Sequence, residues 1–114
     1  MQDNEGMMLR FYVAEGARHD GVMLWEWLLQ TARGLGLPGG TALRAIGGFG
    51  RRHVLHESRF VELAGHETVI VEFVLDGEDA QRLRAEIAAN GLNPIAAQWP
   101  VSVCVFKSDT SAST

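Results

Sequence analysis

Residues 68–75, Thr-Val-Ile-Val-Glu-Phe-Val-Leu, set Val69, Val71, Phe73 and Leu75 on one face against Thr68, Ile70, Glu72 and Val74 on the other, then run straight into Asp76. Period two is the mark of a strand with two unlike faces. Asp76 followed by Glu78 and Asp79 is the mark of a capped helix start, because carboxylates favour the positive end of the helix dipole. Ala80, Leu83 and Ile87 then make a buried stripe, and Glu78, Arg82 and Glu86 are spaced to pair on the wet side. Asn90-Gly91 supplies a left-handed stop, and Asn93-Pro94 seals the break.

The rest of the chain is read around that strand and helix. Over 8–14, Leu9, Phe11 and Val13 alternate with Arg10, Tyr12 and Ala14, which predicts a first strand. Residues 15–21 are a polar connection, and 22–35 carry Leu24, Leu28, Ala32 and Leu35 on one helical stripe, with Gly34, Gly36 and Pro38 ending the helix. Trp25 and Trp27 point to different sides of that helix, so they read as packing residues rather than a base-stacking pair. A second strand is expected over 41–46 and a last one over 99–106, where Val101, Val103 and Val105 alternate with Ser102, Cys104 and Phe106. Between them, 54–63 is weakly regular with room for a short extended segment, and 64–67 is a turn.

The order is β-α-β-β-α-β, which predicts an α+β, ferredoxin-like fold: a four-stranded antiparallel sheet with both helices on one face. One domain over 8–107 is expected, with 1–7 and the Ser/Thr/Ala-rich 108–114 disordered. No helix is left for the second sheet face. Arg10, Tyr12, Ile70, Glu72, Val74, Cys104 and Phe106 are expected there, too apolar a set to stay in water, so the face should be covered by further copies of the chain. Arg10 and Glu72 should pair on it, near the subunit contact.

With 114 residues, one core suffices without metal or disulfide support. The lone Cys104 has no intrachain partner and reads as a small packing hydrophobe. The formal net charge of -4 argues against bulk nucleic-acid binding. No basic leader with an apolar core opens the chain, and no apolar run nears the roughly twenty residues that span a bilayer. The expectation is a soluble cytoplasmic protein.

Function is sought in the stretch from Gly39 to His56. Gly47, Gly48 and Gly50 expose backbone N–H groups, and Arg51, Arg52 and His53 add positive charge directly after them, with Arg44 just before. Unhindered N–H groups and planar guanidinium forks suit phosphate or carboxylate oxygens. Phe49 lies within the run and is assigned to packing on a neighbouring subunit. The string Gly-Phe-Gly-Arg-Arg lacks the lysine and hydroxyl of a P-loop. His19, His53, His56 and His66 fall on loops without a zinc-site spacing, and no metal or cofactor is assigned. Catalysis is not expected either. Cys104 lies mid-strand, and Ser58 beside His56 has no third orienting group.

The motifs Leu9-Arg10-Phe11-Tyr12-Val13, Leu24-Trp25-Glu26-Trp27-Leu28, Thr31-Ala32-Arg33-Gly34-Leu35-Gly36 and Val69-Ile70-Val71-Glu72-Phe73-Val74 resemble a bacterial and archaeal PII-like family long filed as a domain of unknown function, family 190. The most specific part is Gly40 to Gly50, similar to the family's Gly-Ala-Thr-Val-Leu-Arg-Gly-Ile-x-Gly-Phe-Gly. The resemblance implies a homotrimer of ferredoxin-like subunits with ligand clefts between them. It also implies a loop after the second strand, the T-loop of PII proteins, that reports ligand state to a partner such as a membrane transporter. Where PII proteins proper hold phosphates with glycines and a lysine, this chain reads Asp76-Gly77-Glu78-Asp79, which repels phosphate. The anion site therefore moves to Arg44, Gly47, Gly48, Phe49, Gly50, Arg51, Arg52 and His53, with an adenine nucleotide as the favoured small anionic ligand. Two other readings stay open: a CutA-like trimer binding divalent metal, and a ligand-free scaffolding trimer docking a transporter.

Overall fold

The computed structural model describes residues 2–49 and 67–106. Its strands are β1 (Gln2–Ala14), β2 (Arg18–His19), β3 (Val22–Met23), β4 (Thr41–Arg44), β5 (Thr68–Leu75) and β6 (Ile95–Val105), and its helices are α1 (Leu24–Gly34) and α2 (Gly77–Ala89). The main sheet has the order β4-β5-β1-β6, antiparallel throughout, which is the expected ferredoxin-like arrangement.

The core is made by one face of the central pair. Leu9 stands opposite Phe73 and Phe11 opposite Val71, and all four are buried with Val13, Val69 and Leu75. The rings of Phe11 and Phe73 meet edge to face at 6.2 Å between centroids. Leu28 and Ala32 of α1 and Ala80, Leu83 and Ile87 of α2 close over them. The helical spacing of these residues and the period two of the strands thus meet in one layer.

Asp76 caps α2 as its position predicts: Oδ1 accepts the N–H of Asp79 at 2.7 Å. Gly91 takes φ +73° after Asn90, the left-handed stop. Arg82 differs from expectation, pairing with Asp79 at 3.0 Å and donating to the Leu35 carbonyl at 2.9 Å, which ties α2 to the end of α1.

Several boundaries also differ from expectation, three of them for a nonlocal or turn-chemistry reason. Residues 2–7, expected to be disordered, extend β1 because 100–105 of β6 pair with them, a partner that their own polar sequence cannot reveal. Likewise β6 starts at Ile95 rather than Trp99, since 95–98 face residues 9–12 at the centre of the sheet. The helix expected from 22 starts at Leu24, because Asp20 (φ +52°) and Gly21 (φ +82°) form a tight turn joining β2 to β3. Asp-Gly with two positive φ angles is the preferred two-residue hairpin turn. On the other side, β4 ends at Arg44 instead of reaching Ile46.

The sheet face away from the two helices differs from expectation in its β6 residues. The β1–β6 register puts Arg10 opposite Ala97, Met8 opposite Trp99 and Gly6 opposite Val101. Ile95, Trp99, Val101, Val103 and Val105 therefore share the face of Arg10, and Cys104 lies on the other one, exposed rather than packed. Phe106 falls just past the end of β6 and is exposed as well. Alternation alone leaves the choice of face open, and the register makes it. Arg10 and Glu72 pair there as expected, with the Arg10 guanidinium 5.1 Å from the Trp99 ring centroid. Edge strand β6 carries Pro100 opposite Met7.

Gly40 shows how tightly β4 is laid over the core. A Cβ there would lie 2.5 Å from Cε1 of Phe73 and 2.9 Å from Cδ2 of Leu29, whereas one at Gly39 would meet nothing within 4 Å. In urea unfolding, Gly40→Ala is expected to cost about 1–3 kcal/mol through overpacking. Gly39→Ala should change stability by less than about 0.5 kcal/mol, and equal effects would contradict the close approach. Asp76→Ala should cost about 0.5–2 kcal/mol and Asp76→Asn far less, since either oxygen can accept the Asp79 N–H.

Candidate functional site

Edge strand β4 carries a candidate feature at each end. At its start, Pro38, Gly39, Gly40 and Thr41, together with Glu72 and Val74 of β5, line a groove of about 390 Å³. The turn before it is fixed from three sides. Gly36 adopts φ +81°, the buried Leu37 donates its N–H to the Ala32 carbonyl at 3.1 Å, and Arg82 holds the Leu35 carbonyl. Two glycines in succession then leave backbone, not side chain, as the groove wall. Because β4 pairs only with β5, the outward backbone groups at this edge have no strand partner among the described residues.

Chemically the groove is mixed. Pro38 and Val74 offer apolar surface, Thr41 a hydroxyl, and Gly39 and Gly40 backbone donors and acceptors. Glu72 contributes the one carboxylate in the lining, held in place by Arg10. A planar, hydrogen-bonding group suits such a wall, and a phosphate beside Glu72 does not.

At the other end of β4 stands Arg44. It is paired with Glu15, just past β1, and with Glu67, just before β5. The Glu15 N–H donates to the Glu67 carbonyl at 2.9 Å and the Ala45 N–H to the Thr68 carbonyl at 2.8 Å, so backbone bonds lie beside the ion pairs. The Glu15 carboxylate, and after it Glu67, holds the Arg44 guanidinium above its ordinary pKa, so its charge is fixed. Beyond Arg44, Ile46 and Phe49 are fully exposed, at 106% and 97%, and Gly48 has φ +154°.

Of the residues assigned to the anion site, Arg44, Gly47, Gly48 and Phe49 are therefore consecutive or nearly so at one sheet end. Gly50, Arg51, Arg52 and His53 lie outside the described residues, as do His56, Ser58 and His66. His19 packs against the Trp27 ring at 5.0 Å in an edge-on arrangement. Among the described residues no three His, Cys, Asp or Glu side chains converge as a metal site. No described helix is long and apolar enough to cross a membrane.

The start of α2 bears on phosphate binding. Its Asp79 N–H is taken by the Asp76 carboxylate, so the position where an anion could dock on the helix is filled by the chain's own anion. The groove at Pro38 to Thr41 is the feature sequence reasoning missed. Its signal was Gly39-Gly40 directly before a strand, a place where backbone is left bare, but the wall from β5 needed the β4–β5 register to be seen.

With this geometry in hand, the chain can be set beside known proteins. The family model described as DUF190, Uncharacterized ACR, COG1993, matches residues 6–103. A UPF0166 protein of Aquifex aeolicus (strain VF5) is 31% identical over 87 residues, covering 75% of this chain and 83% of that protein. A solved structure of a PII-like signaling protein from Thermus thermophilus, itself described as putative, superposes with a TM-score of 0.60 at 18% identity, covering 90% of this chain and 92% of that one. CPII from Thiomonas intermedia K12, a nitrogen regulatory PII-like protein, superposes in its apo form with a TM-score of 0.57 at 15% identity, covering 90% and 95%. Its structure bound to ADP, AMP and acetate gives 0.58 at 16% identity, covering 92% and 94%. At these identities the superpositions establish a common fold.

Proposed function

This chain belongs to the DUF190 family, and from that membership and its fold we propose that it is a PII-like regulatory protein, a homotrimer holding an adenine nucleotide between subunits. The observation that carries the reading is the pair of features on β4: a groove walled by bare backbone at one end and the glycine run at the other. One copy presents them apart. A rotationally repeated neighbour would bring its glycine run against this groove, a head-to-tail contact that closes into a ring. The uncovered sheet face, with Trp99, Val74, Ile95 and Val105 partly exposed, supplies the surface for that assembly.

Within such a cleft the polarity of the ligand follows from charge. The base lies in the groove, where the backbone of Gly39 and Gly40 and the Thr41 hydroxyl meet its edge and Val74 its face. Glu72 keeps phosphate away, and the filled start of α2 does the same. The phosphates are then left to the neighbour's Gly47, Gly48 and Gly50 N–H groups and to Arg51, Arg52 and His53, with Phe49 packing across the seam. The nucleotides bound to CPII support the choice of ligand class. Signalling requires that the ligand favour one arrangement of the chain after β4 over another, which a partner protein, such as a transporter, then reads. No catalytic step is needed for this role.

Calorimetry with ADP and AMP tests the ligand. The wild type should bind, and Arg51→Ala combined with Arg52→Ala should abolish or strongly weaken binding. A wild type that binds neither nucleotide overturns the reading. Light scattering tests the assembly, with three times the 12.5 kDa chain mass expected at micromolar concentration and a single chain mass excluding the shared cleft.

A further inference from the structure

Arg44 is the one cation of the assigned anion site whose partners are described, and it is not waiting empty. Three separate strand ends meet at its guanidinium: Glu15 follows β1, Arg44 ends β4, and Glu67 precedes β5. Two carboxylates against one guanidinium leave a net negative charge at the point where the chain leaves the sheet and rejoins it. The pairs are also wet. Arg44 is 59% exposed, Glu67 57% and Glu15 34%, so water and salt screen both pairs and either can be exchanged at small cost. Yet Gly47 and Gly48, which begin the proposed phosphate cradle, follow only three and four residues later.

A phosphate offers a guanidinium what each carboxylate does, two oxygens in a plane with its N–H fork, and carries more charge. Glu15 takes Nη2 of Arg44 and Glu67 its Nε, so a phosphate approaching the same guanidinium stands beside two carboxylates that repel it. We propose that Glu15 and Glu67 are built-in competitors for Arg44, so that an anion bound at the glycine run must take the guanidinium from them. This deepens the nucleotide reading, on which its physiological meaning rests. The two glutamates set how much ligand is needed, and their release from Arg44 is the first structural change that binding makes. Arg44 is then a residue with two alternative sets of partners, the kind of bistable contact through which a ligand can shift a population.

The test is a calorimetric cycle on the full chain with two probes, ADP and inorganic pyrophosphate. Glu15→Gln with Glu67→Gln keeps size and removes charge, and should bind both probes about three- to tenfold tighter than wild type, the range open to two exposed ion pairs. Arg44→Ala should weaken binding and erase the gain when combined with the two glutamine substitutions. Circular dichroism melts establish that each variant is folded. An unchanged or weakened affinity in the glutamine variant, or a gain that survives Arg44→Ala, overturns the competition. The outcomes separate the two claims. Tighter pyrophosphate binding with no response to ADP keeps the competition and removes the nucleotide, ADP binding indifferent to the glutamines does the reverse, and silence toward both probes removes both.

Discussion

One register, that of β1 on β5, determines both surfaces of this protein. Setting Leu9 against Phe73 and Phe11 against Val71 gives the helices an apolar floor, and the same alignment sets Arg10 against Glu72 on the far side. A slip of one residue would exchange the two sets, sending charge under the helices and phenylalanine into water. Burying each large side chain contributes roughly 1.5–3 kcal/mol, so the correct alignment is favoured by the sum over Leu9, Phe11, Val71 and Phe73. The β4 strand is then added under a further restriction, because its approach to Phe73 leaves no room for a side chain at Gly40. The groove at the start of β4 is a by-product of that restriction: where the chain must be bare to fit the core, it is also bare toward solvent.

Electrostatics divides the molecule in a similar way. Each described basic side chain near the candidate site is engaged: Arg10 with Glu72 and over Trp99, Arg82 with Asp79 and the Leu35 carbonyl, Arg44 with Glu15 and Glu67. The helix start that could attract an anion is capped from within by Asp76. Around the groove and the end of β4, the described cations are thus balanced locally by carboxylates. For the proposed nucleotide, selectivity would come as much from carboxylates that exclude phosphate from the groove as from groups that attract it.

Much of this was legible in the residues themselves. The strand 68–75, the Asp76 cap, the Gly91 stop and the order of the four main strands and two helices follow from period and capping chemistry, which are local signals, and the Arg10–Glu72 pair follows once alternation is combined with that order. What escaped was set by distant partners. Residues 2–7 are polar and become strand only because 100–105 lie alongside, and Cys104 changes face for the same reason. The β2–β3 hairpin was legible in Asp20-Gly21 but is only two residues deep on each side, shorter than alternation can register. At the site, Arg44 was singled out by its place before the glycines, while Glu15 and Glu67, 29 and 23 positions away in sequence, meet it only through the sheet. The groove needed β5 as its second wall and so had no signature in a single stretch of chain.

The outer border of the sheet has its own consequence. Strand β6 runs for 11 residues with nothing among the described residues paired on its far side, rich in valine and extended, the sort of border along which identical molecules stack into fibrils. Pro100 stands in the middle of that run, and its ring nitrogen has no hydrogen to offer an incoming strand. A single imino acid at such a border is one of the devices by which proteins blunt an apolar margin against stacking.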